Sequence, residues 1–154
     1  MGPLIGYVPG VFDLFHVGHL NVLRQARELC DVLVAGVVSD EVCTSVKGVA
    51  PFVPLEERIA VVDAIGIVDA TYAELTTDKV DAWHEVGFQR LFKGDDWKGS
   101  ERGLALEGRL APYGVEVVYF PYTVTTSSTA LRRALEALTN PPEVESERSD
   151  IAPG

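Results

Sequence analysis

The sequence predicts an α/β fold, in which a parallel sheet of about five strands is covered by helices on both faces. Three observations carry this prediction. Short apolar runs alternate along the chain with segments whose apolar residues recur at helical spacing. The run at residues 31–38, DVLVAGVV, is apolar and β-branched without alternation, which is typical of a strand buried on both faces. Strands that alternate with helices in this way form parallel sheets joined by right-handed crossovers.

The first half of the chain contains a strand-helix-strand unit and a second helix. Residues 4–8 are a short apolar run closed by Pro9 and Gly10, and residues 31–38 are the next strand. Between these strands, an amphipathic helix is indicated by the spacing of Leu20, Leu23, Ala26 and Cys30. A further helix begins just after Pro54, with its apolar positions at Leu55, Ile59, Val62 and Ile65.

The second half continues the alternation. Residues 68–74 are predicted to be extended, and a helix is predicted over residues 78–86 with Gly87 as its stop signal. The remaining elements are a strand at 90–94, a helix at about 101–111, a strand at 115–120 and a final helix with its stripe at Leu131, Leu135 and Leu138.

Length and charge limit the possible functions. The chain has 154 residues, of which 47% are hydrophobic and 23% charged, as expected for an ordinary globular protein. We expect one domain over residues 1–138 and a disordered tail over 139–154, which is rich in Pro, Glu and Ser. The formal net charge of −10 argues against a nucleic-acid-binding protein, because phosphate neutralisation needs clustered Lys and Arg.

Cysteine usage and hydropathy predict a cytoplasmic protein. Cys30 and Cys43 have neither close spacing nor a metal-ligand pattern, so we expect reduced thiols. No stretch approaches eighteen uninterrupted apolar residues, and no basic segment precedes a long apolar run near the N-terminus. We therefore expect no association with membranes.

Ligands of open parallel sheets bind at the carboxyl ends of the strands. This rule selects four segments, at residues 9–19, 39–54, 93–99 and 121–129. The segments supply imidazoles, amines, hydroxyls and backbone N–H groups, which suits a polyphosphate. No GxxxxGKS or GxxxxGKT is present, so the site is not a P-loop, and no GxGxxG follows the first strand.

His16 and His19 are the first candidates within these segments. They lie three residues apart where a helix begins, so both imidazoles can occupy one side of its first turn. Gly18 between them lets a ligand approach the backbone closely. Surface or capping histidines, or a metal site, are the alternatives, although this stretch offers only Asp13 as a further metal ligand.

The chain resembles the cytidylyltransferase-like branch of the HxGH nucleotidyltransferases, and within it the bacterial glycerol-3-phosphate cytidylyltransferases. The resemblance runs from about Ile5 to Leu138 and rests on GVFDLFHVGH, PLEER, GDDWKG and PYTVTTSST. It implies a Rossmann-like three-layer αβα domain and a homodimer. It also implies a divalent cation, commonly Mg²⁺, and transfer of CMP from CTP to a phosphorylated alcohol similar to glycerol 3-phosphate.

Carried onto this chain, the resemblance implies that His16 and His19 contact the triphosphate and stabilise the transition state. It implies that Lys47 and Arg58 bind the acceptor's phosphate or the leaving pyrophosphate, and that Asp13 or Asp95 helps to hold the metal. Nucleotide-binding positions would be Gly10, Val11, Phe12, Asp13, Gly18, Asp95, Asp96, Trp97, Thr126, Ser127, Ser128 and Thr129. Arg132, inside the last helix, is a further candidate for the terminal phosphates.

Two alternatives stay open. TSSTALR also resembles the Ser-rich turn of the adenylyltransferase branch, which would use ATP. Tyr122 and Thr125 stand where the glycerol-3-phosphate enzymes typically have arginine and glycine, so a nucleotide-binding sensor without turnover is the second alternative.

Overall fold

Five parallel strands form one sheet in the computed structural model, which describes residues 2–121 and 127–139. The strands are β1 (Ile5–Gly10), β2 (Val32–Val38), β3 (Ala70–Glu74), β4 (Arg90–Gly94) and β5 (Glu116–Phe120). Their order across the sheet is β3-β2-β1-β4-β5, and every pairing is parallel. The chain therefore builds the sheet outwards from β1 in one direction and then returns to build it in the other.

Six α-helices connect or follow the strands in the described ranges. They are α1 (Val17–Arg27), α2 (Asp40–Lys47), α3 (Leu55–Asp63), α4 (Lys79–Val86), α5 (Glu101–Leu110) and α6 (Ser128–Thr139). Single 3-10 turns follow β4 at Asp95–Trp97 and α5 at Ala111–Tyr113. Within the same ranges, no helix is long and apolar enough to cross a membrane.

The helices cover both faces of the sheet, and a separate apolar core lies on each face. One core joins α1 and α3 to the sheet, with Leu23 and Val62 packed near Phe92. The other joins α4 and α5 to the opposite face, with Val80 and Leu106 packed near Leu91. This arrangement confirms the predicted three-layer αβα fold with a parallel sheet.

The central strand is longer than the sequence predicted. We expected it to end at Val8, but β1 continues through Pro9 and Gly10, which lie opposite Gly36 and Val37 of β2. The register between β1 and β4 covers only Gly6 and Tyr7, so Pro9 lies where the strand pairs on one side. A proline, which has no N–H to donate, is tolerated at such a position.

Residues 40–47 correct a second prediction, because we placed them in a long strand-end loop and they form α2. The Ser39 side chain caps this helix by accepting from the Val42 N–H at 3.2 Å. Gly48 ends it with a left-handed φ of 78°. A helix-capping serine and a terminal glycine were thus both present in the sequence.

The tail prediction is largely outside the described residues. Thr139, which we expected to begin the tail, is the last residue of α6. Residues 140–154 are not among those described, so their predicted disorder stays a prediction.

Candidate active site at the strand ends

A cleft of about 730 Å³ lies at the carboxyl ends of β1 and β4, where the direction of strand order reverses. Most of the predicted site residues line it: Gly10, Val11, Phe12, Asp13, His16, Gly18, His19, Lys47, Ser127, Ser128 and Thr129. Thr126 lies outside the described residues, as do Tyr122 and Thr125. The lining is mainly apolar with a few convergent polar groups, as is usual for small-molecule sites.

The two histidines form the N-terminal cap of α1. His16 is the N-cap residue, and its Nδ1 accepts a hydrogen bond from the Gly18 N–H at 3.0 Å. In return, His19 Nδ1 accepts from the His16 N–H at 3.2 Å. This reciprocal pattern is a capping box in which imidazoles replace the usual serine and glutamate. It holds the two rings with their centroids 4.1 Å apart.

These hydrogen bonds determine which ring nitrogen carries the proton. Each Nδ1 accepts from the backbone, so each neutral imidazole must hold its proton on Nε2. Both Nε2 atoms lie 3.4 Å from the Ser128 Oγ, which itself donates to the Asp13 carbonyl at 2.8 Å. Both Nε2–H donors therefore lie beside the Ser128 hydroxyl at the cleft, where a neighbouring phosphate oxygen would find donors of hydrogen bonds.

The surroundings favour the neutral form of both histidines. Burial lowers the pKa of His19 to about 4, with a further lowering by His16 and Lys47 against an opposing effect of Asp13. Burial also lowers the pKa of His16. In the neutral Nε2–H form, the pair can donate hydrogen bonds but carries no positive charge.

Asp13 joins three segments at the edge of the cleft. It is 5% exposed, and its carboxylate accepts from the Phe52 and Val53 N–H groups at 2.8 and 3.0 Å. It also pairs with the Arg132 guanidinium at 3.0 Å. Phe12 and Leu14, on either side of it, have left-handed φ angles of 55° and 52°. Such angles cost energy in residues with side chains, so the Asp13 network stabilises a strained loop.

The predicted phosphate-binding role of Arg58 is not supported by its position. The side chain is 1% exposed and does not line the cleft. Its guanidinium donates to the carbonyls of Val53, Val11 and Val38, each at 2.7 Å, and pairs with Asp40 at 2.5 Å. Arg58 thus connects the loops after β1 and β2 to α3, which makes it a positioning residue.

The GDDW segment, which we expected at the nucleotide site, lies beside the cleft and largely outside its lining. Asp95 and Asp96 are exposed, and neither they nor Trp97 belong to the described residues that line the cleft. The Trp97 ring instead contacts the Lys93 ammonium, which lies 4.0 Å from the ring centroid. The predicted nucleotide contacts of these three residues stay predictions.

The described residues do not form a protein cage for a metal ion. No group of three His, Cys, Asp or Glu side chains among them is placed to hold one. Both carboxylate oxygens of Asp13 are engaged by backbone N–H groups and Arg132, and Asp95 does not line the cleft. These positions do not fit the predicted metal-ligand roles of Asp13 and Asp95.

Lys93 and Cys43 line the cleft although the sequence analysis did not select them as site residues. Lys93 was detectable in principle, because it is a charged residue near the carboxyl end of a predicted strand. Cys43 lies in the selected segment 39–54, but it was interpreted only as a reduced thiol. Arg132 does line the cleft as anticipated, and it donates to the Ala50 carbonyl at 2.9 Å in addition to pairing with Asp13.

Comparison with known proteins places the chain in a family. The model of the family described as cytidylyltransferase-like matches residues 7–134. An ethanolamine-phosphate cytidylyltransferase of Arabidopsis thaliana is 42% identical over 99 residues, which are 61% of this chain and 23% of that protein. The bifunctional protein HldE of Streptomyces coelicolor is 37% identical over 131 residues, which are 79% of this chain and 26% of that protein. The chain thus spans about a quarter of the length of these curated relatives.

The fold is also shared with a solved structure. The lipopolysaccharide core biosynthesis protein from Thermoplasma volcanium superposes with a TM-score of 0.67 at 22% identity, over 81% of this chain and all of that one. At this identity the likeness concerns the fold alone. Because the family model matches most of its length, from the first strand into the last helix, this chain belongs to the cytidylyltransferase-like family.

Proposed function

We propose that the chain transfers CMP from CTP to a phosphorylated small alcohol, with release of pyrophosphate. The observation that carries the proposal is the convergence of the His16 and His19 Nε2–H donors beside Ser128 in the cleft. Membership of the cytidylyltransferase-like family supports it, as does the name of the Arabidopsis relative, an ethanolamine-phosphate cytidylyltransferase.

The proposed reaction is a direct displacement at the α-phosphorus. An oxygen of the acceptor's phosphate forms a bond to the α-phosphorus, and the bond from that phosphorus to the oxygen bridging to the β-phosphate breaks. Pyrophosphate leaves with the electron pair of that bond. The reaction requires positioning and charge stabilisation but no covalent intermediate on the protein.

In this proposal the histidine pair donates hydrogen bonds to oxygens of the α- and β-phosphates. These bonds strengthen as negative charge accumulates in the transition state, and the preorganised caps hold the donors in place beforehand. The exposed Lys47, at the end of α2, would bind phosphate at the cleft's entrance. A Mg²⁺ ion would enter with the triphosphate and neutralise its charge, since Mg²⁺ usually keeps several waters and uses substrate phosphates as ligands.

The acceptor that we expect is similar to glycerol 3-phosphate, and ethanolamine phosphate is the second acceptor to test because of the name of the Arabidopsis relative. ATP as the donor and a nucleotide-binding sensor without turnover stay as alternatives. Homodimer formation and a cytoplasmic location are further predictions from the sequence.

The test is pyrophosphate release by the purified protein with Mg²⁺, crossing CTP, ATP, UTP and GTP with glycerol 3-phosphate and ethanolamine phosphate. Release that requires CTP and one acceptor supports the proposal, and EDTA should abolish it. Release with ATP assigns the chain to adenylyl transfer. Nucleotide binding without release from any pair favours the sensor.

A further inference from the structure

Lys93 occupies a distinct place in the cleft. It is the fourth residue of β4, and side chains along a strand alternate between faces. Phe92 packs into the core beneath α1 and α3, whereas Leu91 packs into the core beneath α4 and α5. Lys93 therefore leaves the strand on the α4 and α5 side, across the sheet edge from the helix that carries the two histidines.

The charges around Lys93 favour an anion. Burial lowers the pKa of Lys93 to about 8, Lys79 and Lys47 lower it further, and Asp96 and Glu74 oppose them. The charge of Lys79 is matched by Glu74 in an ion pair of 2.5 Å. Among the described residues that line the cleft, Asp13 is the one carboxylate, and it is paired with Arg132. Lys47 and Lys93 are the two lysines among those lining residues, and Asp96, which lies outside the lining, partly offsets the charge of Lys93.

We propose that Lys93, together with Lys47, binds the phosphate of the acceptor, a phosphomonoester dianion. This inference rests on the proposed function. A dianion between the two ammonium groups relieves their mutual repulsion and offsets the desolvation of Lys93. In-line displacement also requires the acceptor and the leaving pyrophosphate to lie on opposite sides of the α-phosphorus. An acceptor phosphate at Lys93 lies across the sheet edge from the histidine pair, which meets this requirement.

The triphosphate of the nucleotide could also supply the phosphate that binds at Lys93. The test therefore measures the binding of the acceptor and of the nucleotide separately. Isothermal titration calorimetry is carried out with glycerol 3-phosphate and ethanolamine phosphate, each with and without the α,β-methylene analogue of CTP. The analogue is also titrated alone. The variants are Lys93→Met, Lys93→Arg and, as the matched control, Lys98→Met, which removes an exposed lysine five residues further along. Thermal melting checks that each variant is folded.

We expect Lys93→Met to weaken phosphomonoester binding about 10- to 100-fold, or about 1.4 to 2.8 kcal/mol, as for a lost charged hydrogen bond. The analogue should bind within about twofold of the unmodified protein, and Lys98→Met should leave both affinities unchanged. In the unmodified protein, phosphomonoester affinity should fall above about pH 8 as Lys93 loses its proton. Lys93→Arg should remove that fall, because a guanidinium stays charged.

Three results would overturn the inference: no phosphomonoester binding by the unmodified protein, a loss of less than about threefold in Lys93→Met, or an equal or greater loss for the CTP analogue. None of these measurements depends on turnover. Failure of nucleotidyl transfer in the pyrophosphate assay is therefore distinguishable from failure of the Lys93 site.

Discussion

His16 combines two roles that a pair of substitutions can separate. Its Nδ1 caps α1 through the Gly18 N–H, and its Nε2–H points to Ser128 in the cleft. Asparagine can cap a helix but cannot present a donor at the position of Nε2, whereas alanine can do neither. His16→Asn should therefore lose activity while retaining stability, and His16→Ala should lose both.

The magnitudes follow from these two contacts. Loss of an N-cap side chain costs about 1 kcal/mol, within a range of about 0.5–2. In a protein of about 150 residues this corresponds to a fall in melting temperature of roughly 2–4 °C. Loss of one preorganised donor to a developing negative charge lowers turnover roughly 10²- to 10³-fold.

The assay combines thermal unfolding with pyrophosphate release under saturating substrates. His84→Asn is the matched control, since His84 is on α4 and contacts Trp83 and Tyr113 away from the cleft. It should leave turnover unchanged. Near-normal turnover of His16→Asn would refute the donor role, and an unchanged melting temperature of His16→Ala would refute the energetic importance of the cap.

Three further predictions concern protonation, positioning and packing. The pKa of His19 is lowered to about 4, so the unfolded chain binds a proton that the folded chain does not as pH falls from about 6.5 to 4. The free energy of unfolding should therefore fall by about 1–3 kcal/mol across that range. When it is measured by urea unfolding, the His19→Asn variant should show a smaller fall. Arg58→Lys should lower the free energy of unfolding by about 2–3 kcal/mol, because a lysine ammonium cannot reach all the acceptors of the guanidinium. If the melting temperature of Arg58→Lys were unchanged and its KM for CTP or the acceptor were raised, the result would instead support a phosphate-binding role of Arg58. Gly36→Ala should lower the free energy of unfolding by about 2–4 kcal/mol, since the added Cβ would lie 1.9 Å from the Tyr7 hydroxyl. Gly108→Ala should stabilise the protein slightly, because this exposed helical position has open space for a Cβ. Equal melting temperatures of these two glycine variants would contradict the packing argument.

The fold was predictable because its signals are local and periodic. Residues 31–38 and 90–94 were expected to be strands from their apolar content, and both are strands at nearly those bounds. The segment at residues 40–47 shows where this reasoning fails. Its capping serine and terminal glycine were present, but its few apolar residues did not mark it as a helix.

Much of the candidate site was also predictable, because parallel strands bring their carboxyl ends to one edge. The histidine pair and Ser128 were selected from segments more than a hundred residues apart, and each histidine Nε2 lies 3.4 Å from the Ser128 Oγ. Arg58 was harder to interpret. Three of its four partners lie 18 to 47 residues away in the chain, and no local pattern records such contacts.

The sequence by itself determined the alternation of strands and helices, the edge of the sheet that would carry the site, and the histidine pair at the first helix. Periodicity and capping act between residues close in the chain, so they are visible in the sequence. Only the tertiary structure decided that Arg58 is a buried positioning residue, that Asp13 binds backbone N–H groups and Arg132, and that Lys93 enters the cleft. Burial and pairing depend on which distant segments pack around a side chain, and the fold alone establishes that.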